Sequence, residues 1–218
     1  MFILLYLAKP VIIVPANRNT QPLAASIPKL TQKMNIEILT ITPISGQFVE
    51  FHFGENFIES LWVDFNISEE NHWIGCFSKD YENAINKVLY NEKDKTCCVV
   101  AGGRCYLLNF ENKNLIFETD EYPIIQSLVQ STEYYFLGNY YSVYILNQNG
   151  LVKEIEPDIM VDGIYLEHIE GSKIIGKVDS AENQYERPLN ISIDVDSLEF
   201  DPYWEKPKPN FLNKLFGK

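Results

Sequence analysis

The sequence predicts a mainly β protein built from antiparallel meander or blade-like sheets, a partial propeller, with one amphipathic helix and a short C-terminal helix. Three observations carry this prediction. Strand-favouring residues dominate the 218-residue chain, with 13 Tyr, 13 Phe and 3 Trp beside many Ile, Val and Thr, while alanine is scarce. Short runs of alternating polarity are punctuated by Gly, Asn and Asp, the residues of tight turns. The third observation is a weak internal repeat. "CYLLNFENKNLIFE" (105–118) lies over "VYILNQNGLVKEIE" (143–156) at a spacing of 38 residues, so that Tyr106-Leu107-Leu108-Asn109 matches Tyr144-Ile145-Leu146-Asn147. In a looser third copy, "ISIDVDSLEFD" (191–201), Asp194 takes the place of the asparagine. Each copy reads as a strand that ends in Asn or Asp, turns, and resumes as a second strand. Periods of about 40 residues holding several strands are typical of propeller blades. The chain supplies three or four such units, where a closed ring has roughly four to eight; the competing reading is a β-sandwich in which the matches are coincidental.

The elements follow in order. Residues 1–33 hold four bases (Lys9, Arg18, Lys29, Lys33) and no acid. They open on "MFILLYLAKPVIIV", which is shorter than the roughly 20 apolar residues of a membrane span and is interrupted by Pro10. This segment reads as an upstream extension ahead of Met34, as a signal or anchor, or as an integral strand. A β domain is expected over 34–204. "IEILTI", "QFVEFHF", "FIESLWVDF" and "HWIGCF" make an antiparallel meander, with turns at Gly46 and at Gly54-Glu55-Asn56. "KDYENAINKVLY" then places Tyr81, Ile85, Val88 and Leu89 at i, i+4, i+7 and i+8 behind Ser78 as N-cap, which predicts an amphipathic helix.

"CCVVAGGRCYLL" (97–108) admits two readings, a phosphate-binding loop or a hairpin. A phosphate loop needs a helix after the glycines, so that backbone N–H groups and the helix N-terminus face the anion. A strand follows here instead, and Gly102-Gly103 can both take positive φ, so the hairpin is expected and Arg104 becomes a solvated or ion-paired strand residue. "GIYLEHIEGSKIIGKV" is a further hairpin turning at Glu170-Gly171-Ser172. Residues 205–218 form a Pro-rich tether and a short amphipathic tail, with Asn210 as N-cap and Phe211, Leu212, Leu215 and Phe216 on one face.

The succession Trp73-Ile74-Gly75 with Phe77, "VVAGGRCYLLN", "VDGIYLEHIEGSKIIGKV" and "ISIDVDSLEF" resembles a loose group of small bacterial half-propeller proteins. Some of that group stand beside polymorphic or contact-dependent toxins as candidate immunity proteins. The resemblance spans roughly residues 34–204 and departs from the group at "DGIYLEHIEG", which lacks an upstream tryptophan. It implies binding to a protein partner and transfers no functional residue.

Charge and composition narrow the function. The net charge is −12, and beyond residue 33 there are 14 bases against 30 acids, a balance that repels nucleic acid and anionic lipid. A basic protein, such as a toxin domain, is the expected partner, with at most weak membrane-surface contact through the lysine-bearing tail. Cys76, Cys97, Cys98 and Cys105 lack zinc spacing, and adjacent Cys97 and Cys98 point to opposite faces of a strand, so buried reduced thiols in a cytoplasmic protein are expected. His52, His72 and His168 form no ligand or catalytic motif, and no G-x-S-x-G elbow presents a serine. Asp194 and Asp196 beside their turn resemble a calcium loop only faintly. The expectation is a protein without enzymatic activity, metal or cofactor.

"EYYFLGNYYSVY" places five tyrosines within 11 residues, and tyrosine is enriched at protein interfaces. Tyr134 and Phe136 with Tyr140 and Tyr144 are candidates for one aromatic face. Tyr134, Tyr140, Tyr144, Asp194, Asp196, Phe211 and Leu215 are therefore the expected partner-binding residues. Two other readings compete: an exported or membrane-associated ligand-binding β protein, and a hydrolase whose histidine meets a carboxylate and a nucleophile.

Overall fold

The computed structural model describes residues 33–44, 46–55, 57–120, 122–181 and 188–201, and these hold sixteen strands in four four-stranded sheets. The first sheet contains β1 (Asn35–Ile38), β2 (Val49–Phe53), β3 (Ser60–Ser68) and β4 (Asn71–Ser78) in the order β1-β3-β4-β2. The second runs β5 (Lys87–Asn91), β6 (Thr96–Ala101), β7 (Arg104–Asn109) and β8 (Leu115–Glu118) as a plain meander. So do the third, with β9 (Ser127–Gln130), β10 (Tyr135–Gly138), β11 (Val143–Asn147) and β12 (Gly150–Ile155), and the fourth, with β13 (Val161–Glu170), β14 (Lys173–Ser180), β15 (Leu189–Asp194) and β16 (Glu199–Phe200). The leading strands β1, β5, β9 and β13 neighbour one another in chain order, which gives the molecule its propeller-like build.

The repeat seen in the sequence is the third and fourth strand of each later sheet. Asn109 ends β7, and its Oδ1 accepts the backbone N–H groups of Glu111 and Asn112. Asn147 ends β11 and accepts from Asn149, while Asp194 ends β15 and accepts from Asp196 and Ser197. A short side-chain oxygen at that point turns the chain where the strand ladder stops, which is why Asn and Asp are interchangeable there. Gly102 and Gly103 form the β6–β7 turn at φ values of 57° and 83°, so the hairpin reading of "AGGRC" is the observed one.

Three apolar layers join the four sheets. Phe65, Trp73 and Phe77 of the first sheet meet Cys97, Val99, Tyr106 and Leu108 of the second. Cys98, Val100, Cys105 and Leu107, on the opposite face of that second sheet, meet Leu128, Tyr135, Leu137 and Leu146 of the third. Phe136, Val143 and Ile145 then meet Ile164, Ile174, Val178 and Ile193 of the fourth. Cys97 and Cys98 thus lie in different cores, and all four cysteines are free and buried. On the far side the fourth sheet turns a largely charged face outward, carrying the Lys177–Glu167 and Lys173–Asp201 pairs.

Polar bridges fix the sheets at these junctions. Ser127 Oγ donates to the Ile164 carbonyl at 3.0 Å and accepts from the Leu166 N–H at 2.8 Å, tying β9 to β13. Gly138 lets them approach, since a Cβ there would lie 2.4 Å from the Ile164 oxygen and 2.6 Å from Ser127 Oγ. Backbone on one side leaves that contact little room to relax. Gly138→Ala is expected to cost about 2–3 kcal/mol, read from urea unfolding, with faster amide exchange at Ile164 and Leu166.

Two sequence expectations are overturned. The segment 79–90 is not a helix: a turn at residues 82–83 sits in irregular chain, Lys87–Asn91 is β5, and no helix occurs among the described residues. Val88 and Tyr90 pack on the first apolar layer, while Leu89 packs on the second. A strand between two cores is apolar on both faces, and its continuous run imitates helical spacing. Ser78, expected as N-cap, ends β4 and accepts the Tyr106 hydroxyl on its carbonyl oxygen at 2.8 Å. The first four strands are also not an antiparallel meander, because β2 crosses to the far edge and runs parallel to β4. The expected C-terminal helix, with Phe211 and Leu215, lies outside the described residues.

Candidate functional site

A cleft of about 450 Å³ opens between the third and fourth sheets at their turn end. One wall is the β9–β10 turn, Ser131 to Tyr134; the other is Ile169, Gly171 and Ser172 from the β13–β14 turn with Val195 and Asp196 from the β15–β16 turn. Ser131 Oγ accepts the Tyr134 N–H at 3.0 Å, and its own N–H donates to the Tyr134 carbonyl at 2.8 Å, which fixes the first wall. The Val195 N–H donates to the Ser172 carbonyl at 2.8 Å and joins the two turns of the second. The cleft therefore brings together Tyr134 and Asp196, expected as site residues from distant parts of the sequence, and adds Glu133. Tyr134 is half-buried, edge-on to Phe136, and Glu133 and Asp196 are exposed at the rim.

Asp194 serves this site from behind. Its carboxylate is occupied by the N–H groups of Ser197 and Asp196 at 2.8 and 3.0 Å, and these bonds, Ser197 first, hold it below the usual aspartate range. It shapes the turn that presents Asp196.

The other expected tyrosines separate. In the β10–β11 pairing Phe136 faces Ile145 and Leu137 faces Tyr144, so Phe136 and Tyr144 lie on opposite sides of the sheet. Phe136 is buried against the fourth sheet, and Tyr144 packs half-buried against the second, where burial and then Glu154 push its hydroxyl up. No single aromatic face forms, because antiparallel register alternates these positions.

Tyr140 joins a different group at the other end of the sheets. The rings of Tyr122, Tyr140 and Tyr141 lie 6.1–6.4 Å apart, and the Tyr122 and Tyr141 hydroxyls hydrogen bond. Tyr122 and Tyr141 are about half exposed, at 55% and 49%. The turn beneath is rigid: buried Asn139 accepts the N–H groups of Tyr141 and Ser142 at 2.7 and 2.9 Å, and its backbone carbonyl accepts the Ile164 N–H at 2.9 Å. Tyr122 comes from the β8–β9 connection, where only a lone Tyr-Pro marks it in the sequence.

On the outer face of the first sheet, His72 Nε2 meets Asp64 at 2.7 Å, and His52 lies 3.7 Å from Glu50 and opposite Cys76 in the β2–β4 register. Burial first, and then Glu50, push the Cys76 thiol up, against the direction that makes a nucleophile. Among the described residues no cluster of His, Cys, Asp or Glu is arranged to hold a metal ion.

These features define a mainly β, propeller-like protein with an acidic inter-sheet cleft. No protein-family model and no curated protein matches the sequence. Among solved structures the chain is similar to BamB from Moraxella catarrhalis, at 8% identity and a TM-score of 0.43 over 65% of this chain and 45% of that one. It is also similar to the β-propeller domain of Cps50 (Swd1) from Myceliophteria thermophila, at 13% identity and a TM-score of 0.39 over 63% and 43% of the two chains. A third similarity is to hydrazine synthase of Kuenenia stuttgartiensis, at 13% identity and a TM-score of 0.36 over 52% and 33%. The chain thus spans less than half the length of each of these three proteins. The propeller-like description rests on the four sheets themselves.

Proposed function

We propose that this chain is a non-enzymatic protein-binding module that holds a basic partner at the cleft between its third and fourth sheets. The finer reading is a bacterial cytoplasmic immunity or accessory protein that occludes a basic toxin domain. The observation that carries the proposal is the convergence of Tyr134, Glu133 and Asp196 on one cleft with walls braced by their own turns. A tyrosine with two rim carboxylates suits a lysine- or arginine-bearing loop, and the net charge of −12 steers such a partner inward. The raised Cys76 thiol supports leaving Cys76 out of the reading as a nucleophile.

The test is capture of partners from the native host, identification of the bound protein, and titration of the purified pair. Glu133→Gln with Asp196→Asn is expected to weaken binding at least tenfold, and binding by the unaltered protein should fall as salt shortens the screening length below about 8 Å. Equal binding by the double variant, or capture only of acidic proteins, would overturn the reading. Cell fractionation with N-terminal sequencing checks the cytoplasmic assignment: recovery of a cleaved chain outside the cytoplasm would favour an exported ligand-binding protein.

A further inference from the structure

The tyrosine cluster at the opposite end of the molecule is not absorbed by the cleft. Its flank is acidic. Asp162 follows the first residue of β13, and Asp179 stands beside Ser180, the residue paired with Val161 at that end of β14. Tyr165, 36% exposed on β13, folds its ring over Gly163, where a Cβ would lie 2.8 Å from the tyrosine hydroxyl. Burial, followed by the charge of Asp179, pushes the Tyr165 hydroxyl up, and Tyr140 and Asp162 act in the same direction, which places all four groups in one neighbourhood. The Tyr122 hydroxyl rises to about 12, first through its bond to Tyr141, with Tyr140 and Asp162 among the lesser causes. Tyr122 and Tyr165 therefore stay neutral at physiological pH, with intact hydroxyls and π faces. Among the described residues neither Asp162 nor Asp179 forms an ion pair with a lysine, arginine or histidine.

We infer that Tyr122, Tyr140, Tyr141 and Tyr165, flanked by Asp162 and Asp179, form a second docking surface that takes an arginine side chain of a protein partner. A guanidinium is planar, weakly hydrated and permanently charged, so it stacks on tyrosine faces while its N–H groups reach carboxylates at the edge. The two aspartates, of which Asp179 hydrogen bonds to the Tyr165 hydroxyl, supply the charge complement. The braced Asn139 turn fixes two of the four rings before binding, which reduces the ordering cost that exposed aromatics otherwise carry. The inference extends the proposed binding of a basic partner to a surface that shares no residue with the cleft.

The test uses the full chain and a short glycine–arginine peptide, with lysine and citrulline counterparts, followed by NMR of the tyrosine rings. Citrulline keeps the planar shape of arginine and removes its charge. The arginine peptide is expected to shift the Tyr122 and Tyr141 rings and to bind at least tenfold more tightly than the citrulline peptide, with lysine between them. Tyr122→Ala with Tyr141→Ala, and separately Asp162→Asn with Asp179→Asn, should each weaken it about tenfold. Glu156→Gln with Glu170→Gln, which removes equal charge elsewhere, should change it less than threefold. The inference is overturned by equal binding of the citrulline peptide, by equal weakening in the Glu156/Glu170 variant, or by an oligosaccharide that shifts these rings where the arginine peptide does not. Loss of peptide binding in the Glu133→Gln/Asp196→Asn variant alone would assign the arginine to the cleft and refute the second surface. Loss confined to the tyrosine and Asp162/Asp179 variants would leave the second surface standing even where the cleft reading fails.

Discussion

Arg104→Met is expected to lower the free energy of unfolding by about 3 kcal/mol, because it removes the cation that lies between the largely buried carboxylates of Asp80 and Glu118. The Arg104 side chain is 15% exposed and lies between Asp80 at 3.3 Å and Glu118 at 2.8 Å, with its guanidinium carbon 5.8 Å from the Tyr106 ring centre. Methionine keeps the packing of the stem and abolishes the charge. Burial is already the largest influence on Glu118 and raises it, with Arg104 the main opposing one, so the carboxyl climbs further when the arginine is lost. A carboxyl whose folded pKa stands above its unfolded value contributes stability at low pH and loses it as pH rises through the folded value. The deficit is therefore greatest at neutral pH and narrows as pH falls through the carboxylate range. Urea midpoints across that range measure it. Adding Asp80→Asn and Glu118→Gln to Arg104→Met should restore much of the loss at neutral pH, which a simple packing defect would not allow.

Trp73→Ala is expected to cost about 4 kcal/mol, the largest effect of any single change proposed for this chain. The indole is 1% exposed, stacks on Phe65 at 3.8 Å, meets Phe51 edge-on at 5.4 Å, and donates Nε1–H to the Phe110 carbonyl at 3.2 Å across the first layer. Truncation opens a cavity and leaves that carbonyl oxygen without its donor. Trp73→Phe should recover part of the packing and none of the bond. Because each sheet here packs mainly on its neighbours, the loss should fall on the first and second sheets, with the Tyr122 and Tyr141 resonances least disturbed at intermediate urea. Simultaneous loss of all signals at one midpoint would show instead that the four sheets unfold as a unit.

The parts of this fold that were legible in the sequence are those set by local chemistry. Asn109, Asn147 and Asp194 each close a turn with their own side chain, so the repeat survives in letters as well as in coordinates. Gly102-Gly103 is legible for the same reason, since positive φ is a property of the residue and not of its surroundings. The failures came where distant chain decides. Residues Lys87–Asn91 form a strand because two separate cores flank them, and nothing in the neighbouring letters records that. The parallel placement of β2 is likewise a matter of tertiary packing. Of the site residues, Tyr134 and Asp196 line one cleft, while Glu133 enters only as a neighbour in the turn and Tyr122 only through the path of the β8–β9 connection.

The charged outer face of the fourth sheet is a poor seat for a further sheet. The three interior layers use apolar surfaces on both sides of the second and third sheets, the kind of surface on which a further sheet could be laid indefinitely. Over Glu167, Lys177, Lys173 and Asp201, by contrast, an arriving sheet would have to strip water from two ion pairs at a cost of several kcal/mol per ion. The same four side chains, which add little to stability, therefore disfavour the stacking of a further apolar sheet on this face.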